Sequence, residues 1–132
     1  MESTDAARRW SDTWRIGWPA RDVESVSALY HPAVTYRSAP FREPFRGREE
    51  VRGYLSRSFG EESEIETWFG DPVVADGYAS VEWWATLVED GAETTLAGTS
   101  TLIFDDSGLV IEQRDTWNQS DGRLQPPEGW GR

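Results

Sequence analysis

Apolar residues recur at helical spacing in the first half of the chain. Trp10, Trp14 and Trp18 follow one another every four residues, which places the three indoles on one face of a helix. This helix is expected to begin near Thr4 and to run through Trp18, because Pro19 disfavours its continuation.

Two further helices are predicted downstream by the same spacing. Residues 22–30 form the first, with Asp22 as its N-cap and His31-Pro32 as its end. Residues 48–59 form the second, directly after a glycine. Their apolar faces consist of Val23, Val26, Leu29 and Tyr30 in one helix, and of Val51, Tyr54, Leu55 and Phe59 in the other.

The rest of the chain is predicted to consist of strands joined by tight turns. Residues 34–38 alternate in polarity, and residues 64–75 contain a strand interrupted by a Gly-Asp-Pro sequence. Residues 78–89 form a long strand between the Asp76-Gly77 and Asp90-Gly91 turns. This order predicts an α+β fold, in which a curved, mainly antiparallel (mixed) sheet wraps around three helices and encloses a cone-shaped space.

Residues 93–118 are interpreted as a long β-hairpin around the turn Asp105–Gly108. With the turn centred on its two middle residues, Asp115 is expected to lie opposite Gly98. A glycine opposite leaves space beside the carboxylate. A packed core does not need such a pairing, whereas a pocket could use it. The other expected pairs on this face are Phe104 with Leu109, Leu102 with Ile111, Ser100 with Gln113, and Leu96 with Trp117.

Composition narrows the chemistry. The 132 residues are enough for one domain, 1–132, of which residues 119–132 are expected to be a largely irregular tail. The net charge of −11 disfavours nucleic-acid binding. The absence of Cys and the single His exclude thiol nucleophiles and metal sites built from Cys or several His. No apolar run reaches membrane-spanning length, so we expect a cytoplasmic protein without a membrane partner. We also expect neither a metal nor a cofactor.

Several segments, taken in their order, resemble the NTF2-like superfamily and within it the SnoaL-like branch. They are the Trp-bearing first helix, DVESVSALYHPAVTYRS, GREEVRGYL, VEWWATL, the strand containing Gly98, and SGLVIEQRDTWN. The resemblance implies a cone-shaped α+β barrel with a deep pocket for a small apolar or aromatic molecule. It also implies a homodimer packed through the outer face of the sheet. Enzymes and non-enzymes share this scaffold, so the fold alone does not give the function.

The catalytic positions of these families are matched in part. The sequence RDTW is similar to the Arg-Asp-aromatic motif in which limonene-epoxide-hydrolase-like members carry a water-activating Asp, which implies Asp115 as a general base. Tyr36 and Ser38 stand where those members have a Tyr-x-Asn that holds the water. Residues 80–82 stand where they have an Arg-x-Asp pair, so the acid is kept as Glu82 and the Arg is lost. Ketosteroid-isomerase-like chemistry fits less well, because Ser38 takes the place of its base.

The resulting candidate site has Asp115 as base, Glu82 as its acid or orienting partner, and Tyr36 and Ser38 as hydrogen-bond donors. An inward Glu82 is favoured by the family pattern. The alternative is an outward Glu82 on a strand whose core face is the wholly apolar set Val81, Trp83, Ala85 and Leu87. The predicted pocket walls are Trp14, Trp18, Trp84, Gln113 and Trp117.

Two classes of function remain open from the sequence. One is a cofactor-independent enzyme of the hydrolase, cyclase or isomerase type. The other is a non-catalytic module that uses the same cone for ligand binding or dimerisation, or that fills it with Trp side chains.

Overall fold

A curved, mixed and unclosed seven-stranded sheet packs against three helices in the computed structural model, which describes residues 1–132. The predicted α+β fold is therefore confirmed. The elements are α1 (Ser3–Ala20), α2 (Val23–Ser27), β1 (Tyr30–Arg37), β2 (Phe45–Arg46), α3 (Arg48–Gly60), β3 (Glu62–Phe69), β4 (Val73–Ala75), β5 (Tyr78–Glu89), β6 (Ala92–Phe104) and β7 (Val110–Asp121). The strands follow the order β2-β1-β7-β6-β5-β3, with β4 paired to β5, and only β1 and β7 run parallel.

The first helix buries the predicted tryptophan stripe and continues slightly further than expected. Trp10, Trp14 and Trp18 are all buried against the sheet. Pro19 lies inside the last turn rather than after it. A proline has no N–H to donate to the carbonyl four residues earlier, and the Thr67 hydroxyl donates to the carbonyl of Arg15 instead, at 2.8 Å. A side chain of β3 thus satisfies the backbone group that Pro19 leaves free.

The second helix is shorter than predicted, because the chain enters the sheet earlier. Asp22 is its N-cap as expected and accepts from the Ser25 backbone N–H at 3.1 Å. The helix ends at Ser27, however, and Tyr30 already pairs with Val110 of β7. His31-Pro32 therefore lies within a strand, at a register irregularity where the missing N–H of proline is tolerated.

The inner face of β5 is the apolar one. Val81, Trp83 and Ala85 are buried, whereas Glu82 is exposed. The expectation that Glu82 points into the cone is wrong. Alternation along a strand allows only one of the two sets to face inward, and burial of the larger apolar area selects the set containing Trp83.

The C-terminal tail returns across the outer face of the sheet. β7 continues to Asp121, three residues beyond the end of the predicted hairpin at Asn118. The Trp84 indole N–H donates to the carbonyl of Leu124 at 2.7 Å, and the Trp130 ring meets the Trp84 ring edge-on at 6.1 Å. Trp84, predicted as a pocket wall, therefore lies outside the cone and binds the tail. None of the three helices has the length and apolar character needed to cross a membrane.

Candidate active site

A cavity of about 400 Å³ lies between the helices and the concave face of the sheet. All of the residues predicted from the sequence line it except Glu82 and Trp84. The predicted residues that do so are Trp14, Trp18, Tyr36, Ser38, Gln113, Asp115 and Trp117. Further aromatic side chains complete the wall, namely Trp10, Tyr54, Phe59, Phe69 and Trp83.

Asp115 of β7 is held by three hydrogen-bond donors and by no cation. Its Oδ1 accepts from the Ser100 hydroxyl at 2.6 Å and from the Gln113 side-chain amide at 2.9 Å. Its Oδ2 accepts from the Tyr36 hydroxyl at 3.0 Å. Each carboxylate oxygen has two lone pairs. Oδ1 is therefore saturated, whereas Oδ2 keeps one acceptor position for a ligand or a water.

Burial shifts the protonation equilibrium of Asp115 towards neutrality. The side chain is only 7% exposed, and this desolvation raises its pKa to about 6. The hydrogen bonds from Ser100, Gln113 and Tyr36 oppose the rise without cancelling it. The group is therefore mostly ionised at pH 7 but accepts a proton readily, which is the property of an effective general base.

The tryptophan stripe of α1 orients this carboxylate through a shared amide. Gln113 Oε1 accepts from the Tyr30 hydroxyl at 2.6 Å and from the Trp10 indole N–H at 3.1 Å. The Trp14 indole N–H donates to the Tyr30 hydroxyl at 3.1 Å. With its oxygen occupied, the Gln113 amide must present its nitrogen to Asp115. On the other side, the Trp83 indole N–H donates to the Ser100 hydroxyl at 3.0 Å.

The two buried tyrosines of β1 act as neutral donors. Desolvation raises the pKa of Tyr30 and of Tyr36 well above the usual value, and the charge of Asp115 raises both further. Both hydroxyls therefore keep their protons throughout the physiological range. The Tyr36 hydroxyl is consequently a permanent donor beside the free lone pair of Asp115.

Ser38 offers the cavity a hydroxyl that nothing in the protein engages. Its Oγ is buried and has no hydrogen-bond partner. Its backbone carbonyl is fixed by the Trp117 indole N–H at 2.7 Å, and the Arg42 guanidinium lies 5.7 Å from the centre of the Trp117 ring. An unpaired buried hydroxyl is costly to the fold alone, which is consistent with a polar group of a ligand or a water as its partner.

The hairpin that carries Asp115 is offset by two residues from the predicted register. Asp115 lies opposite Ser100, and Gly98 lies opposite Trp117. The loop at the turn is one residue longer than assumed, and Ile111 adds a bulge, since Phe104 pairs with Val110 but Ile103 with Glu112. The two-residue offset preserves the face of the side chains from Gln113 onward, whereas Ile111, expected on the same face, lies in the bulge and is exposed. The predicted face of Asp115 is therefore right, and its predicted partner is wrong.

Gly98 nevertheless has a steric role. A Cβ built there would come within 2.6 Å of the Trp117 Cβ. The missing side chain lets β6 approach the base of the Trp117 ring closely, which is what a strand glycine permits.

A second carboxylate in the cavity was not predicted from the sequence. Glu62, at the start of β3, is 5% exposed and accepts from the Trp18 indole N–H at 2.8 Å. Burial raises its pKa to about 7, opposed by hydrogen bonds from Trp18 and Ser58 and assisted by the charges of Glu89 and Glu61. The predicted strand began after Glu62, so no sequence signal assigned it a face. No cluster of three or more His, Cys, Asp or Glu side chains converges to hold a metal ion.

Comparison with known proteins gives a family and several structural neighbours. A family model described as a SnoaL-like domain matches residues 7–113. No curated protein matches the chain in sequence. Among solved structures, the epoxide hydrolase/cyclase-like enzyme SalBIII, with a role in pyran ring formation in polyether salinomycin, superposes with a TM-score of 0.78 at 12% identity, covering 89% of this chain and 95% of that one.

Two mycobacterial structures also superpose on this chain. An LEH-like epoxide hydrolase of Mycobacterium tuberculosis gives a TM-score of 0.72 at 17% identity, covering 87% of this chain and 84% of that one. Rv0760c of the same organism gives a TM-score of 0.78 at 16% identity, covering 92% and 98%. At these identities the likeness establishes a shared fold.

Proposed function

The chain belongs to the SnoaL-like domain family, and from this premise we propose that it is a cofactor-independent enzyme of the hydrolase, cyclase or isomerase type with Asp115 as general base. The observation that carries the proposal is the Asp115 carboxylate itself. It lies in a cavity, is oriented by three donors, lacks a cationic partner, and keeps a free lone pair on Oδ2.

The hydrogen-bond pattern indicates which oxygen of Asp115 takes the proton. Oδ2 is adjacent to the Tyr36 hydroxyl, and the unpaired Ser38 hydroxyl lines the same cavity. A water, a substrate hydroxyl or an acidic C–H placed there gives its proton to the free lone pair of Oδ2, while the Tyr36 hydroxyl continues to donate to the same oxygen. Gln113 and Ser100 hold Oδ1, so the proton is directed to the oxygen that faces the ligand.

The ligand proposed for this cavity is a small apolar or aromatic molecule. The cavity volume of about 400 Å³ falls in the usual range for small-molecule sites. Nine of the 23 residues that line the cavity are aromatic, and the polar ones include Glu62 and its charged neighbours as well as Asp115 and its donors. Two structural neighbours are described as epoxide hydrolase or epoxide hydrolase/cyclase-like, and opening of a strained ring by an activated hydroxyl suits the same arrangement.

The orienting groups differ from the expected hydrolase pattern. The inward residues of β5 are Val81 and Trp83, neither of which can act as an Arg-x-Asp pair. Trp83 instead holds Ser100, and Ser100 holds Asp115. The base is therefore positioned by neutral donors, which leaves its charge uncompensated and available to a ligand.

The test uses 5-nitrobenzisoxazole, whose elimination needs only a base in an apolar cavity. The base removes the proton on carbon, the N–O bond breaks, and a coloured cyanonitrophenolate forms. Wild type is expected to accelerate this elimination, and Asp115→Asn to lower the rate by about 100-fold or more. Trp fluorescence quenching by the probe measures binding separately.

The matched control is Asp105→Asn, which removes an acid from the hairpin turn of the same strand pair, outside the cavity. It is expected to leave the rate unchanged. If Asp115→Asn eliminates the probe as fast as wild type while binding it equally well, the protein is a non-catalytic binding module.

The homodimer and the cytoplasmic location expected from the sequence stay predictions. The homodimer is tested by the mass of the purified protein in solution, from sedimentation or light scattering. A monomeric mass would contradict it.

A further inference from the structure

Strand β3 changes face just before Glu62. Phe69 and Thr67 pair with the inward Trp83 and Ala85 of β5. Simple alternation from these residues would turn position 62 outward. The register shifts between Ser63 and Glu66, however, and Glu62 pairs with Glu89, which also lines the cavity. One extra residue in the strand therefore brings Glu62 inside.

The bulge contains Glu64, whose backbone has a left-handed conformation that glutamate disfavours. Glu64 has φ of 51°, in the left-handed region that glycine adopts more readily. Arg123 of the tail fixes it, because one guanidinium nitrogen donates to the Glu64 carbonyl at 2.7 Å and the other to the Thr86 hydroxyl at 2.8 Å. Strained backbone held by its surroundings is typical of functional sites.

Glu62 is buried without a compensating cation. Arg21, at the end of α1, donates only to the Glu62 backbone carbonyl, at 3.4 Å. Arg57 of α3 lines the cavity but forms no ion pair with Glu62. The other charged groups nearby are Glu61 and Glu89, whose like charge disfavours an ionised Glu62. The protonated form is the one that this environment stabilises.

Glu62 and Asp115 face the same cavity across two indole rings. Trp18 binds Glu62, and its ring meets the Trp83 ring edge-on at 5.8 Å. Trp83 in turn binds Ser100, which binds Asp115. Both carboxyl groups therefore line the one cavity in which a ligand is expected to bind.

We propose that Glu62 is the general acid for the reaction in which Asp115 is the general base, so this inference rests on the proposed function. Asp115 Oδ2 takes a proton from the nucleophile or from carbon. The bond to the departing oxygen breaks, and that oxygen receives the proton of Glu62. Asp115 ends neutral and Glu62 ends ionised, and solvent exchange of one proton restores both.

A leaving-group series separates this role from a structural one. Unsubstituted benzisoxazole releases a more basic phenolate than the 5-nitro compound, so it depends more on a proton donor at the departing oxygen. Glu62→Gln, which is nearly isosteric and keeps a partner for Trp18, is expected to lose about tenfold or more on the unsubstituted compound. Its loss on the 5-nitro compound is expected to stay within about threefold.

The pH profile provides a second readout. Wild-type turnover of the unsubstituted compound should rise through about pH 6 and fall through about pH 7. Glu62→Gln should lack the alkaline fall. Glu66→Gln, an exposed acid on the same strand, is the matched control and should behave as wild type.

Each outcome bears on one proposal. An equal loss, or none, on both compounds by a folded Glu62→Gln protein overturns the assignment of Glu62 while leaving Asp115 as base. A wild-type rate in Asp115→Asn overturns the proposed function, whatever Glu62→Gln does.

Discussion

Replacing Asp115 by Asn should make the protein more stable at pH 8. The folded state raises the pKa of Asp115 from its usual 3.8 to about 6. The stabilisation that comes from the protonated Asp115 is therefore fully present below pH 3.8 and is lost as the pH rises through about 6. Above pH 6 the folded protein carries a buried charge that an asparagine does not.

The size of the effect follows from the pKa. A rise from 3.8 to about 6 corresponds to about 3 kcal/mol at pH 8, because each pKa unit is worth about 1.36 kcal/mol. At pH 5 only about half of this penalty has developed. The asparagine oxygen still accepts from Ser100 and Gln113, and its NH₂ group donates to the Tyr36 oxygen, so only the Tyr36 O–H loses its acceptor.

Urea denaturation followed by Trp fluorescence measures the free energy of unfolding of both proteins. It is best done at pH 5 and pH 8, because the sequence pI of about 4.4 makes lower pH prone to precipitation. The advantage of Asp115→Asn should grow by about 1.5 kcal/mol between the two values. If the two proteins differ in free energy of unfolding by the same amount at both pH values, the inference that the Asp115 charge is uncompensated is wrong.

Asp105→Asn supplies a control of opposite sign. Desolvation raises the pKa of Asp105, but hydrogen bonds from Ser107 and Leu109 together outweigh it and lower the pKa below its usual value. Its stabilisation is present above pH 3.8 and is lost as the pH falls below it. This variant should be less stable than wild type at pH 8, and a gain in stability there would contradict the reasoning.

Two further substitutions test the frame around the cavity. Trp130→Ala should lower the free energy of unfolding by about 1 kcal/mol, because it removes the edge-on contact with Trp84. Acrylamide should also quench the fluorescence of Trp84 more strongly in this variant. An unchanged free energy of unfolding would contradict an anchoring role of Trp130. Gly98→Ala should lower the free energy of unfolding by about 1–3 kcal/mol, because its Cβ would lie 2.6 Å from that of Trp117. Gly60→Ala is the control, since nothing lies within 4 Å of a Cβ at that position. Equal free energies of unfolding of the two variants would contradict the predicted clash.

The features that follow from alternation were predictable, and those that follow from local backbone irregularities were not. The tryptophan stripe and the strand 78–89 give strong periodic signals, and both elements form as expected. Asp115 faces the cavity as expected, because the error in the hairpin register was an even number of residues. Ser100, which donates the shortest hydrogen bond to Asp115, was missed because the predicted register placed Gly98 opposite Asp115.

Glu82 shows where a family pattern misleads. Its placement rested on matching a spacing of two residues, which is satisfied by either face of a strand. The apolar set around Trp83 carried the better information, since burial of large apolar side chains decides which face is inward. The inward orientation of Glu62 could not be predicted for a different reason. The bulge at Glu64 contains no glycine, and a glycine would have indicated a bulge there.

The bulge in β3 also has a consequence for how related chains are aligned. Whether Glu62 faces the cavity depends on the number of residues between it and Ile65, and not on their identity. A relative one residue shorter here would continue the plain alternation and turn its counterpart of Glu62 to solvent. An ungapped alignment across this point would then equate an internal acid with an external one. Insertions and deletions at Ser63–Glu64 are therefore more informative about this position than the conservation of a glutamate.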